Sequence, residues 1–433
     1  MLFRSTKNSQ MSHRPIRSLF ITKEVPYPPQ GGVSLRNWQN MNILSQYGPV
    51  AVFSAANWTP KTTELPNIEI WRHCNAQQQR SSWENFQRRL WWLFPLRHPD
   101  VDWAYSDKSA EELQQLIANF KPDLIIFEQI WLYRYLKAVR DYPCHLILDQ
   151  HNVEFHLFGQ KIEGEKKLSS RLKNQLLISH LRNLEGEFCR QVDSVWTCSE
   201  NDVQLLQDTY GKIPPSHVIP NGLDIEYYSI VRCNQANLPA NWQENSHTLI
   251  FVGLLSYAPN TEAAELLLQQ VYPRLKASYP DCRLLLVGRN PTPKMREIAA
   301  KEPGIIITGG VADVRPYLAA ASAVAVPLRQ GGGTRLKILE AFAAGRPVVS
   351  TAKGAEGLKV KDREHLLVRE TAEEIATGVS QIWSDAALNQ KITDCAYQLV
   401  KAEYSWEAVA QKIEPAVQEL CRAQSQKGIG NRK

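Results

Sequence analysis

The chain has 433 residues, 43% of them hydrophobic, and a formal net charge of +6. That length exceeds one ordinary domain and suits two of roughly 200 residues each. The positive charge is spread thinly with no long basic block, so no nucleic-acid partner is expected.

The first residues, MLFRSTKNSQMSHRPIRS, lack the apolar core of a secretory leader. No apolar run reaches the roughly 18 residues of a membrane span. The eight cysteines, Cys74, Cys144, Cys189, Cys198, Cys233, Cys282, Cys395 and Cys421, are scattered without a CxxC pair. That spacing fits a reducing, cytoplasmic setting and neither a zinc site nor a disulfide framework.

In the first half, short β-branched runs read as strands: 18–22, 50–54, 68–71, 123–127, 145–149 and 194–198. After the first of these comes PPQGG, with Gly31 and Gly32 ahead of a helix beginning near Val33. It is not a GxGxxG fingerprint. It reads either as a plain strand-to-helix turn or as a loop for a phosphate.

The stretch 80–103 sets Trp83, Trp91, Trp92 and Trp103 among Arg80, Arg88, Arg89 and Arg97. One reading is a packed excursion of the first domain. The other is a surface for an apolar or lipid-linked partner, a peripheral contact on the inner face of a membrane, since Trp with Arg suits an apolar–wet boundary. The Asp100-Val101-Asp102 match to a metal-binding Asp-x-Asp pattern is too short and too badly placed to carry a metal. His151 and Asn152 follow the fifth strand, at the end where open α/β sheets place ligands. His151 with His156 is wrongly spaced for one helical metal site.

Residues 226–246 are Asn- and Gln-rich and weakly periodic, and read as a linker. The second half repeats the strand–helix alternation, with strands over 248–253, 283–288, 304–309, 323–328, 347–351 and 365–369 and a helix over 262–278. Such alternation means parallel sheets in an α/β chain. Two Rossmann-like doubly wound domains are expected, over 1–225 and 247–403, then a closing helix and basic tail over 404–433 with a break near Pro415.

The segment QGGGTRLKILEAFAAG raises the sharpest question. A strand, glycines and a helix in that order form a usual phosphate cradle. Thr334 is a candidate cap. Yet Arg335 and Lys337 stand at the helix end that the dipole makes positive, where acids are preferred. An anion held there would explain them. Glu340, one turn on, could accept two ribose hydroxyls. The plainer alternative is an ordinary helix with a surface Lys337–Glu340 pair at i,i+3.

Taken together, PPQGG, IPNGLD (219–224), FVGLLSYAPN (251–260), LLLVGRNP (284–291), the block 309–358 and YSWEAVAQ (404–411) resemble glycosyltransferase family 4, retaining enzymes of the GT-B fold. The likeness runs over nearly the whole chain and is most specific in 309–358, in the branch carrying GGGTRLK-ILEA. It implies two Rossmann-like domains facing a central cleft, with the C-terminal helix crossing back. It implies transfer of a sugar from a nucleotide-diphosphate donor to a sugar or lipid-linked hydroxyl acceptor, in cell-surface polysaccharide or glycoconjugate assembly. No metal and no cofactor beyond the nucleotide-sugar substrate is implied.

By the same resemblance, Gly31 and Gly32 contact the donor diphosphate and His151 approaches the donor sugar. Gly332, Gly333 and Thr334 form the donor loop, and Glu340 holds the ribose. Two departures stand out. The family's first glutamate, eight positions before Glu340, falls on Gly332, and the Arg and Lys expected after the second domain's first strand are absent around Leu254 and Asn260. Arg335 and Lys337 are the candidates to replace those cations. The departures leave open a non-catalytic GT-B-like partner protein, and more remotely an epimerase or phosphorylase of the same fold.

Overall fold

The computed structural model describes residues 15–29, 31–56, 65–94, 96–162, 168–239, 247–332 and 335–430. They group into two compact units: residues through Asp149 with Glu187–Ser194, and Gln150–Gly186 with the chain from Val195 onward.

In the first unit, β1 (Ser18–Thr22), β2 (Val50–Ser54), β3 (Ile70–His73), β4 (Leu124–Glu128) and β5 (His145–Gln150) run in the order β3-β2-β1-β4-β5. The pairings are parallel, with Phe20 between Val52 and Ile126. Every residue of β1, β2, β4 and β5 is buried. That burial is why the sequence shows solid apolar runs instead of alternation, as in sheets covered on both faces. The winding direction reverses between β1 and β4, the position where such sheets bind ligands at strand carboxyl ends.

The excursion after β3 is four short helical pieces, Ala76–Gln79, Ser82–Arg89, Trp91–Leu93 and Pro99–Trp103. Asp102 is buried and accepts from Arg97 Nε at 3.0 Å and Arg134 Nη1 at 3.1 Å. Its carboxylate holds the excursion onto the unit.

In the second unit, β6 (Ser194–Thr197) pairs in parallel with β7 (Ser216–Val218). β7 was not expected from sequence, because three half-buried residues with Ser and His make no apolar run. The other strands, β8 (Thr248–Val252), β9 (Arg283–Val287), β10 (Ile305–Gly309), β11 (Ala323–Val326), β12 (Val348–Ser350) and β13 (Leu367–Val368), form a parallel sheet ordered β10-β9-β8-β11-β12-β13. Its reversal falls between β8 and β11. Helix Leu336–Ala343 buries Ile338, Leu339 and Phe342 in the same core as these strands, and Gly345, at φ +66°, ends it.

Three expectations need correction. The stretch read as linker begins with helix Ile225–Arg232, capped by Asp224 and buried through Tyr228 and Val231. The helix expected from 262 starts at Ala258, with Pro259 in its first turn, and widens over Leu267–Val271 just ahead of Pro273. A proline has no N–H to give the preceding turn, which accounts for the wide turn. The closing helix, Trp406–Gly430, passes through Pro415 unbroken. Val409, Ile413, Ala416 and Val417 are buried along one stripe, so packing outweighs the lost hydrogen bond. Among the described residues no helix is long and apolar enough to cross a membrane.

Candidate active site

The reversal between β8 and β11 brings the β8 loop beside helix Leu336–Ala343. A Cβ on Gly253 would stand 2.8 Å from Asn260 Nδ2 and 3.0 Å from Lys337 Nζ. Asn260 joins the two pieces: its Nδ2 donates to the Leu254 carbonyl at 3.0 Å, and its Oδ1 accepts from Lys337 Nζ at 2.7 Å. The ammonium also lies 4.4 Å from the Phe251 ring centroid. Burial, with the Arg335 charge adding to it, pushes Lys337 down to about 7, against the pull of Glu340.

One turn on, Glu340 Oε1 accepts from Tyr228 OH at 3.0 Å. Burial raises its pKa, while the Tyr228 hydrogen bond and Lys337 draw it back. Lys337 and Glu340 are therefore not an exposed ion pair. Each has its own partner, and among the described residues no salt bridge joins them. Among the described residues no other hydrogen bond to the Glu340 carboxylate occurs.

Arg335 serves a different purpose. It occupies the N-cap position of the helix. Its Nη1 donates to the Gly332 carbonyl at 2.9 Å, and its Nη2 to Gly331 at 2.8 Å and Lys353 at 3.2 Å. Glu356 Oε2 is 3.8 Å away. The buried guanidinium thus holds the glycine loop in shape. Gly331, at φ +111°, has a conformation that L side chains rarely adopt. Gly333 and Thr334 lie outside the described residues. The two cations at the positive helix end are explained separately: one braces main-chain carbonyls and the other reaches the β8 side.

Gly332 meets the segment that follows β5. A Cβ there would come 2.8 Å from Asn152 Oδ1, and Gln160 Oε1 accepts from Gly331 N at 3.3 Å. His151 is buried at the end of β5, and its carbonyl accepts from Cys198 Sγ at 3.5 Å. A small cavity of about 60 Å³ borders this loop, lined by Asn152, His156, Gln160, Asp202, Gly332 and Glu356 among others. Lys337 and Glu340 do not line it.

In the first unit, Gly31 caps helix Gly32–Leu44, which starts one residue before the expected Val33. Gly31 N donates to Ser34 Oγ at 3.1 Å, and the first turn holds no acid. A Cβ on Gly31 would meet nothing within 4 Å, so that helix end is uncrowded. At the end of β4, burial and the nearby Glu24 push Glu128 up to about 8, and its Oε2 accepts from Lys23 N at 2.8 Å. Among the described residues no group of three or more His, Cys, Asp or Glu could hold a metal ion.

Sequence reasoning missed Tyr228, Asn260 and Glu128, and named Asn152 only alongside His151. Glu128 could have been found from its place at a strand's carboxyl end. Tyr228 lay in the presumed linker. Asn260 was noted only as the site of a missing cation.

Residues 72–227 match the family model described as Glycosyltransferase Family 4, and residues 246–385 the model described as Glycosyl transferases group 1. A lipopolysaccharide 1,2-N-acetylglucosaminetransferase of Salmonella typhimurium is 27% identical over 271 residues, 58% of this chain and 68% of that protein. A phosphatidyl-myo-inositol mannosyltransferase of Mycolicibacterium smegmatis is 28% identical over 200 residues, 45% of this chain and 50% of that protein. Among solved structures, a sucrose-phosphate synthase from Thermosynechococcus elongatus superposes with a TM-score of 0.70 at 19% identity, covering 95% of this chain and all (100%) of that one. Anabaena HepE in complex with UDP gives 0.64 at 17% identity, over 93% and 100%. At these identities the superpositions establish the fold.

Proposed function

We propose, for a chain that belongs to the family 4 glycosyltransferases and has their GT-B fold, transfer of a hexose from a nucleotide-diphosphate donor to a hydroxyl acceptor with retention. The observation that carries this is the pairing of Lys337 and Glu340 on one helix at the β8–β11 reversal, each held by its own partner. In this reading Glu340 Oε2 accepts from the ribose, while Tyr228 fixes the carboxylate. Lys337 and the helix N-terminus neutralise the donor diphosphate as the bond from the anomeric carbon to the phosphate oxygen breaks. The acceptor oxygen forms the new bond, and its proton passes to the departing phosphate. Asn152, beside Gly332, is placed to hydrogen-bond the donor sugar, and His151 supports that end.

Arg335 is a positioning residue that keeps the loop carbonyls turned inward. Gly31 caps a second uncrowded helix N-terminus, in the first unit, that is open to an anion in its own right. The matched relatives, named for lipopolysaccharide and phosphatidyl-myo-inositol substrates, support a sugar or lipid-linked acceptor in glycoconjugate or polysaccharide assembly.

A specific feature favours a second reading, a partner protein without catalysis: Gly332 stands where the family carries its first glutamate. Calorimetric titration with UDP, GDP and ADP, on wild type and Glu340→Ala, tests the donor site. One nucleotide should bind and lose its affinity in the variant. Absence of binding by all three would overturn the donor reading and favour the partner protein.

A further inference from the structure

The excursion after β3 presents a face that the donor site does not use. Trp83 is 64% exposed, Trp92 52%, Leu93 53%, and Phe86 and Phe94 are also exposed. Trp83 and Phe86 lie three residues apart on helix Ser82–Arg89, their rings stacked at 5.6 Å. Large apolar side chains so close together are not the scattered exposure of an ordinary surface.

The charges beside them have one sign. Glu84 is the acid within 81–94, and it is buried. Its carboxylate accepts from Ser81 N and Asp107 N, both at 2.7 Å, and those bonds hold its pKa low although burial opposes them. Arg88 and Arg89 close the same helix, with no hydrogen bond or ion pair among the described residues. The outward side chains of 81–94 are therefore aromatic, cationic or neutral, and the exposed acid of the excursion, Asp100, lies beyond them in sequence.

We infer that this face docks on an anionic lipid surface, with Trp83, Phe86, Trp92, Leu93 and Phe94 entering the interface and Arg88 and Arg89 facing lipid phosphates. Amphipathic segments with aromatics on one side and arginines on the other bind membranes in this way. A second copy of the chain fits less well. Pairing this face with itself would bring four unneutralised guanidinium groups together in a desolvated contact. The inference is independent of sugar transfer, since the face shares no residue with the donor site.

Flotation of the full chain with vesicles of phosphatidylcholine, with and without phosphatidylglycerol, tests it. Binding is expected with phosphatidylglycerol, weaker without it, and falling as salt is raised. The variant Trp83→Ser/Phe86→Ser/Trp92→Ser should lose binding. Arg88→Gln/Arg89→Gln should lose about fivefold per arginine on anionic vesicles alone. Nucleotide titration and thermal melting should match wild type in both variants, which separates loss of docking from loss of folding. No flotation on anionic vesicles would overturn the inference. So would equal flotation of wild type and the aromatic variant, or a solution dimer abolished by that variant.

Discussion

The Arg36 guanidinium and the Asp149 carboxylate face each other wholly inside the first unit, with Nε 3.0 Å from Oδ1 and 3.1 Å from Oδ2. Neither side chain has more than 1% of its surface exposed. Arg36 Nη2 also donates to Oδ1, and Asn40 Nδ2 adds a fourth bond, to Oδ2 at 3.0 Å. The pair ties helix Gly32–Leu44, which opens at the first glycine loop, to the last residues of β5. Removing one partner strands a charge in a dry interior. Arg36→Ala is expected to cost about 3–5 kcal/mol of stability, well above a surface ion pair. Urea denaturation of the variant checks this; a loss below about 1 kcal/mol would mean water reaches the carboxylate.

Lys337 and Glu340 should give the proposed donor site two opposed pH limbs. Lys337 is lowered to about 7. The unfolded chain therefore holds more protons between that value and the ordinary lysine value, and this group's contribution makes stability rise with pH across that window. A bound diphosphate would favour the ammonium, so nucleotide affinity should fall above neutrality and binding should take up protons. Glu340 is raised. The folded chain keeps its proton longer, so this group's contribution makes stability fall as pH climbs from the ordinary glutamate value through the raised one. Ribose recognition needs the carboxylate, so affinity should also fall on the acid side. Calorimetry across pH in buffers of different ionisation enthalpy should give a bell. Lys337→Gln should flatten the alkaline limb and Glu340→Gln the acid limb. A bell unchanged in both variants would place the titrating groups elsewhere.

Arg335 makes three bonds in a fork geometry to main-chain carbonyls. A lysine cannot reproduce that fork. If Arg335 were needed only as a cation, Arg335→Lys would keep donor turnover near normal. If it shapes the loop, Arg335→Lys and Arg335→Ala should both raise the donor KM, each by about tenfold or more, a change of about 1.4 kcal/mol. Steady-state kinetics separating KM from kcat decides between the two roles.

The strand positions were readable because buried parallel strands are written as unbroken apolar runs, such as Leu249–Phe251 and Leu284–Val287. The glycine loop and Glu340 were readable because a strand, glycines and a helix lie in sequence order. The partners that define the site were not. Tyr228 reaches Glu340 across 112 residues and Asn260 reaches Lys337 across 77. Such pairings depend on strand order, which periodicity does not encode. Arg335 looked like a free cation because its partners are main-chain carbonyls, groups that every sequence has and no motif marks. Helix Ile225–Arg232 was missed because its polar face, set among Asn and Gln, hid the buried spacing of Tyr228 and Val231.

Gly332 remains the least expected residue of the proposed site, since the family resemblance implies a carboxylate there. Its own backbone lies outside the left-handed region, so glycine is not required by conformation. What restricts it is Asn152, whose Oδ1 would lie 2.8 Å from an added Cβ. That oxygen ends a short side chain able to turn, so Gly332→Ala should cost only about 1 kcal/mol, the low end of overpacking. Asn152→Ala should remove most of that cost in the double variant, giving a coupling of similar size in a double-mutant cycle read by thermal melting. The same cycle read by donor turnover tests whether Asn152 has taken over a contact with the sugar. Asn152→Ala alone should then lose turnover, and Gly332→Glu/Asn152→Ala should recover part of it by restoring a carboxylate in the vacated space. Additive melting shifts with unchanged turnover in Asn152→Ala would show that the two residues only share a wall of the cavity.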